Sequence, residues 1–419
     1  MSSLKFMEKL LDGVNVEWKA LWEVTTWDKK FNAVSREKQP KVLNYKYLLA
    51  VDLFKLEKDG GDIYLLSTGE RTGWTTEEMA GKNIQKGEVV AIPWGKSRPL
   101  REVIKYYKGR FVTADNRIVT SNDTTKLLNK YLFYWMTEQA EVIDSFYRGA
   151  GIQHPSMASV LDMEIPIPCP DNPKKSLKVQ TEIVRILDTF TELTAELTTE
   201  LTARKKQYKY YQDQLLTFEK KNVEWKALRE VCDYVDYRGK TPKKTTSGVF
   251  LVTAKNIRMG YIDYNTSQEF IYADDYDLVM RRGFPEIGDV LITTEAPCGY
   301  IAQVDRKDIA LAQRVIKYRS NSKSLMNSFL KHYLKGSEFQ TKLLNAATGS
   351  TVKGIKGSKL HKLTIPIPSL TEQARIVSIL DKFDALTTSI TEGLPREIEL
   401  RQKQYEYYRD MLLSFPGKP

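Results

Sequence analysis

The sequence predicts an α+β protein of two similar domains joined by two long helices, which pair as an antiparallel coiled coil within a pseudo-twofold internal repeat. Two observations carry this. The chain repeats itself in order: NVEWKALWEV at residues 15–24 returns as NVEWKALREV at 222–231, IPIP at 165–168 returns at 365–368, and KQYKYYQDQLLTF at 206–218 returns as KQYEYYRDMLLSF at 403–415. Three separated matches in one order mark a tandem duplication. After each IPIP, apolar residues fall at alternating spacings of four and three, the seam of a helix that needs a partner helix.

Taken along the chain, the first domain covers residues 1–168. Inside it, Gly87-Glu88-Val89-Val90-Ala91-Ile92 reads as a turn entering a buried strand, and Gly288-Asp289-Val290-Leu291-Ile292-Thr293 answers it in the second domain. Asn116-Arg117-Ile118-Val119 is likewise answered by Gln313-Arg314-Val315-Ile316, and the glycine loop Gly149-Ala150-Gly151-Ile152 by Gly349-Ser350-Thr351-Val352. Between these anchors the copies share almost nothing, so one framework carries two sets of loops. The glycine loops are read as turn geometry near the helix entrances.

The first long helix lies within residues 169–221, with the seam Ile183, Leu187, Phe190, Thr194, Leu197, Leu201, Arg204, Tyr208, Tyr211, Leu215, Phe218. The second domain follows at 222–368 and the second helix at 369–419. Its seam runs Ile376, Leu380, Phe383, Thr387, Ile390, Leu394 and resumes at Ile398, Arg401, Tyr405, Tyr408, Leu412, Phe415. The phase slips at Gly393-Leu394-Pro395, where a local kink is expected. Tyr208, Tyr211, Tyr405 and Tyr408 are read as core; Tyr210 and Tyr407 point elsewhere, towards a partner. Charge sets the direction of pairing. Residues 182–200 carry −4 and 204–213 carry +3, against −3 for 381–399 and +1 for 401–410, so antiparallel pairing sets opposite signs together. Helices of roughly 40 residues reach about 60 Å. Such a pair holds two domains apart like a caliper spanning more than one turn of B-DNA.

A chain of 419 residues with a net charge of +11 suits two globular domains with a polyanionic partner. Residues 177–218 and 370–415 together sum to −2, leaving +13 on the remaining 331 residues, so the basic surplus belongs to the domains. Cys169, Cys232 and Cys298 have neither zinc spacing nor an even count. No apolar run reaches membrane-spanning length, and the first residues lack a signal-peptide core, so a cytoplasmic protein is expected. Catalytic signatures are missing: there is no phosphate loop, no complete G-x-G-x-x-G and no Asn/Asp-Pro-Pro-Tyr/Phe tetrapeptide. His154, His332 and His361 are scattered. Glu17-Trp18-Lys19 and Glu224-Trp225-Lys226 match a nuclease E-x-K only faintly, and packing or docking is the favoured reading.

Together, the two Ile-Pro-Ile-Pro exits, the helices ending in KQYKYYQDQLLTF and KQYEYYRDMLLSF, VDYRGKTPKKT (235–245), GDVLITTEAPCG (288–299) and LAQRVIKYR (311–319) resemble the specificity subunit of a type I restriction–modification system over the full length. The resemblance implies two target-recognition domains, each reading half of a bipartite double-stranded DNA site, with the helices as spacer. It further implies a non-catalytic subunit that binds no cofactor itself. Two methyltransferase subunits would bring S-adenosylmethionine, and restriction/translocase subunits would bring ATP and Mg2+. The tandem Thr194-Ala195-Glu196-Leu197, Thr198-Thr199-Glu200-Leu201 resembles the family's length-variable repeat. The rival readings are a coiled-coil adaptor that binds proteins and a self-contained nuclease or methyltransferase.

Candidate DNA-binding residues in the first domain are Thr68, Glu70, Arg71, Thr72 and Trp74, then Lys96, Ser97 and Arg98, then Asn116 and Arg117. In the second they are Arg238, Lys240, Thr241, Lys243 and Lys244, then Lys255, Asn256 and Arg258, then Thr294 and Glu295, then Gln313 and Arg314. Asn and Arg can pair bidentately with adenine and guanine, while Lys suits phosphate. Arg117 and Arg314 hold equivalent places in the repeat and are expected to share a role. Trp74 and Trp94 are read as core before stacking platforms. No metal site is expected.

Overall fold

A computed structural model describes residues 13–69, 71–96, 98–237, 242–389 and 392–415. The chain forms two compact units, Met1–Thr194 with Leu400–Pro419, and Ala195–Glu399. In the first, a seven-stranded mixed sheet runs Thr25–Trp27, Asn116–Ser121, Gln85–Pro93, Lys105–Ala114, Ile63–Leu66, Gly73–Thr75, with Tyr47–Leu48 also on Lys105–Ala114. Val89 through Pro93 are all buried, which is why that segment is an unbroken apolar run. The helix Asn129–Glu138 buries Tyr131, Leu132 and Trp135 in the same core as Leu21, Trp27, Val90 and Ile92.

In place of one large sheet the second unit has two smaller ones, apart from a two-stranded clasp. One orders Cys232–Asp236, Val315–Ser320, Val290–Thr294 and Cys298–Gln303; the other orders Phe270–Ile271, Val249–Val252 and Ile309–Leu311. Asp289, 1% exposed, is held by Arg319 (Nε donating to Oδ1, 2.6 Å) and by Lys317 at 3.3 Å. The net stabilisation of such a buried charge depends on that full complement of partners.

Two of the repeats are halves of one clasp. Val16–Ala20 pairs antiparallel with Glu164–Pro168, and Glu224–Ala227 with Thr364–Ile367, so NVEWKA closes on IPIP in both units. Each clasp is a two-stranded sheet, where prolines lacking N–H are tolerated because every strand is an edge. The Glu-x-Lys pairs lie on these strands and neutralise each other, Lys19 at 2.5 Å from Glu17 and Lys226 at 3.1 Å from Glu224.

The first long helix is continuous from Pro173 to Leu216. In the first unit its start buries Ile183 and Leu187, Phe190 stacks on Tyr408 at 5.1 Å, and Leu412, Leu413 and Phe415 complete the same core. In the second unit its end stacks Tyr208 and Tyr211 on Phe383 at 5.7 and 5.6 Å, and Leu216 joins Ile376 and Leu380. Each unit thus joins the start of one helix to the end of the other, the contacts that opposed pairing requires. Tyr211 stacks yet stays 40% exposed, so it covers the seam rather than filling it.

At the phase slip the structure shows a break in place of the expected kink. Leu370–Thr387 and Gly393–Leu413 are separate helices. Gly393 has φ +77°, and a Cβ there would stand 2.3 Å from the Ala385 carbonyl oxygen. Pro395 then falls in the first turn of the new helix, where its missing N–H has no partner to lose. Ile390 lies outside the described residues.

Each domain is fixed to its helix by the same polar staple. Gln180 accepts from Leu128 N (2.9 Å) and donates to Lys126 O (2.7 Å); Gln373 accepts from Met326 N (2.9 Å) and donates to Ser324 O (2.7 Å). Two turns on, Asp188 accepts from Lys130 Nζ (2.8 Å) and the Tyr134 hydroxyl (2.5 Å), and Asp381 accepts from Lys331 Nζ (2.8 Å) and pairs with His332 Nε2 (2.7 Å). Neither buried glutamine was among the residues singled out from sequence.

Candidate nucleic-acid interface

The candidate residues sit where strands end. In the first unit Pro93 pairs with Asn116, and the Asn116 amide donates to Leu66 O (3.1 Å), so the ends of three strands converge. In the second, Ala312 N donates to Val252 O (3.1 Å) and Thr294 N to Arg314 O (2.8 Å), which gathers the ends of Val249–Val252, Ile309–Leu311 and Val290–Thr294. Antiparallel and parallel pairing alike leave backbone groups unpaired at strand ends, so polar side chains collect there.

Within these rims the structure separates frame from free surface. Asn116, 3% exposed, also donates to Thr113 Oγ1 (3.2 Å) and accepts from buried Thr68 (2.8 Å). Asn256, fully buried, accepts from Thr253 N (3.0 Å) and donates to Asp263 O (3.2 Å) and Thr266 O (2.5 Å). Both amides hold their own turns, and neither presents an edge to a base. Thr294 is 2% exposed, its hydroxyl donating to Arg314 O at 3.2 Å. Lys96 is tucked against Asp144 and the Tyr147 ring, its side chain 13% exposed.

The two equivalent arginines part company. Arg117, 5% exposed, lies 3.7 Å from the Trp94 ring centroid and pairs with Asp115 at 3.0 Å. The exposed His154 ring also lies 4.4 Å from Trp94, which is half-buried and joins no apolar core, short of the core reading. Arg314 is exposed and pairs with Glu295 at 2.9 Å. The two equivalent positions thus have different surroundings, one arginine covered by an indole and the other open to solvent.

On the open surface of the first unit are Arg71, paired with Glu57 and lying over Phe54, Thr72, and Arg98, 3.1 Å from Glu102. Trp74 is also open, 46% exposed and edge-on to Tyr64, contrary to the core reading; a Trp on a short edge strand has only one packed face. The second unit exposes Lys243 over the Tyr272 ring, Lys244 at 2.8 Å from Glu269, and Lys255; half-buried are Gln313 and Arg258, which faces Asp263 at 3.6 Å. Glu70, Ser97, Arg238, Lys240 and Thr241 lie outside the described residues. In the second unit a cleft of about 320 Å³ is lined by Tyr237, Lys243, Arg281 and Arg282. Arg281-Arg282 was not singled out, although two adjacent bases on an exposed turn are a readable phosphate signal.

Among the described residues one group has metal-ligand geometry, His332 with Asp381 and Asp384. Lys331 at 2.8 Å from Asp381 and Lys335 at 2.8 Å from Asp384 already neutralise both carboxylates, so the group serves as an ion-pair staple. His361 stacks on Tyr234 at 3.7 Å and bonds the Tyr318 hydroxyl at 2.6 Å.

The chain matches the family model for the type I restriction modification DNA specificity domain twice, over residues 50–204 and 220–400. It is 39% identical over 438 residues to the Escherichia coli type I restriction enzyme EcoR124I/EcoR124II specificity subunit, covering 99% of this chain and 98% of that protein. It is 33% identical over 425 residues to a putative type I restriction enzyme specificity subunit, S.HindORF215P, of Haemophilus influenzae, covering 98% of each. Among solved structures, the S subunit of a type I restriction–modification system from M. genitalium superposes with a TM-score of 0.59 at 15% identity, over 97% of this chain and 98% of that one. A chain from a structure addressing assembly and conformational transition of the type I R-M system gives a TM-score of 0.53 at 16% identity, over 96% and 98%.

Proposed function

The chain belongs to the type I restriction–modification DNA specificity family, and from that premise we propose how its two units divide the work. It is a non-catalytic DNA specificity subunit. Each unit reads one half of a bipartite double-stranded site from its rim of strand ends. The two long helices pair as an antiparallel coiled coil and set the number of base pairs between the halves. Two methyltransferase subunits dock on the repeated framework, where Tyr210 and Tyr407 stand 61% and 53% exposed at matching helix positions, and bring S-adenosylmethionine. Restriction/translocase subunits bring ATP and Mg2+. The candidate DNA contacts are now the exposed rim residues, Arg71, Thr72, Trp74 and Arg98 in the first unit and Lys243, Lys244, Lys255 and Arg314 in the second.

The observation that supports this reading is one frame used twice, with the same clasp, glutamine and aspartate staple in each unit and different side chains on each rim. A protein that reads two dissimilar half-sites needs that combination. Single-molecule methylation sequencing of host DNA, with the gene intact and deleted and partner genes unchanged, tests it. Loss of one gapped, two-part motif on deletion is expected. An unchanged methylome with the methyltransferase expressed would refute it.

A further inference from the structure

The glycine loops do more than turn the chain. In the first unit Tyr147–Arg148 pairs with His154–Pro155; in the second, Thr348 bridges Gly354. Gly149 and Gly349 have φ of +139° and +111°, and a Cβ on either would lie 2.9 Å from the Ile152 carbonyl oxygen or 2.2 Å from that of Val352. Both turns therefore follow one tight plan that only glycine fits. Each is bonded to the rim: Lys96 N donates to Gln153 O (3.0 Å) and His154 Nδ1 meets Trp94 O (2.8 Å), while Ile355 N donates to Thr294 O (2.9 Å) and Gly354 bridges Glu295.

At the tips stand Ile152, 67% exposed, and Val352, 57% exposed. Neither belongs to a core. Both copies of this anchor keep an exposed aliphatic side chain three residues after the same glycine, although the loops around it differ. Exposed bases flank both tips, Arg148 in the first unit and Lys353 and Lys356 in the second.

Resting on the DNA-reading assignment above, we propose that these two hairpin tips are DNA-seating contacts, Ile152 and Val352 pressing on sugar and base edges while the flanking bases meet phosphate. Apolar side chains presented on a basic element are the means by which proteins wedge against a groove without reading it. A feature common to two units with different rim side chains cannot tell half-sites apart, so its contribution is affinity independent of sequence.

The test uses the full chain with its methyltransferase partner and the single variants Ile152→Asp and Val352→Asp, with Ile152→Ala and Val352→Ala as milder changes at these exposed sites. Fluorescence anisotropy compares a duplex carrying the motif read from methylation sequencing with one whose half-sites are scrambled. Each Asp variant should weaken binding to both duplexes about tenfold, leaving their ratio unchanged, with the Ala variants moving less in the same direction. Unchanged affinity, or a loss confined to the motif duplex, would overturn the seating role. If the unaltered complex itself fails to prefer the motif duplex, half-site reading has failed and the seating role falls with it.

Discussion

Deleting Thr198-Thr199-Glu200-Leu201 should change the spacing of the recognised site without changing its letters. The helix is unbroken from Pro173 to Leu216, 44 residues, so nothing within it absorbs a length change. At about 1.5 Å and 100° per residue, losing four residues shortens it by about 6 Å and turns everything beyond by about 40°. Against about 3.4 Å per base pair this is at most about two base pairs along the duplex, and about one for an inclined helix. The fold should survive, because Thr198, Thr199 and Glu200 are exposed and the preceding Thr-Ala-Glu-Leu puts Leu197 where Leu201 stood. Methylation sequencing of a strain carrying the deletion should show both half-sites intact around a spacer shortened by about one base pair. An unchanged spacer, or altered half-site letters, would refute the ruler.

Three further outcomes are expected. Asp28 is 4% exposed, and burial, opposed by Lys29 and the Ile118 N–H, pushes its carboxyl up to about 6 from 3.8. The folded state holds that proton more tightly than the unfolded chain, so stability present below pH 3.8 is lost as pH climbs through 6. Asp28→Asn keeps an acceptor for Ile118 N and should stabilise the first unit at pH 8 by up to roughly 3 kcal/mol, with no gain below pH 4; urea melts across pH check this, and a pH-independent gain would refute it. His332 is held below its usual 6.5, burial being the main cause, and Asp381 is held below 3.8, chiefly by its bond from His332. Both lose stability in acid, His332 first as pH falls through 6.5, so His332→Tyr, copying Tyr134, should remove the loss between pH 7 and 5 in thermal melts; an equal slope in the variant would count against it. Lys243→Ala should lower the slope of log affinity against log salt by about one while leaving the methylated motif unchanged.

The framework was legible because the repeats are the very segments that touch. NVEWKA and IPIP stand out in the sequence as recurring strings, and in space they are partner strands; the heptad seam likewise names Phe190, Tyr208, Phe383 and Tyr408, which stack. The rim was legible only as a location. An Asn on a loop has the donors and acceptor to read adenine and equally those to cap a turn, and spacing does not distinguish the two. Burial decides, and it assigns Asn116 and Asn256 to the frame. Arg117 and Arg314 align in the repeat, but Trp94 covers one while the other is exposed and pairs with Glu295, since loop residues differ where anchors agree. At Gly393 a four-residue insertion looks the same in sequence whether the helix bends or stops; the positive φ settles it as a stop.

The order in which the chain is made acquires a meaning from the residues that close the first core. Leu412, Leu413 and Phe415 are buried there beside Ile183 and Leu187, and Arg409 reaches Glu138. A growing chain therefore cannot finish its first unit until residues 409–415 have left the ribosome, whereas residues 195–399 hold everything the second unit contains. Domains ordinarily complete in the order of synthesis. Here the order inverts: the second unit matures first, and the first waits with an open apolar seam for the tail that seals it. A stop codon after residue 399 would spare the unit beside it and undo the one made earliest.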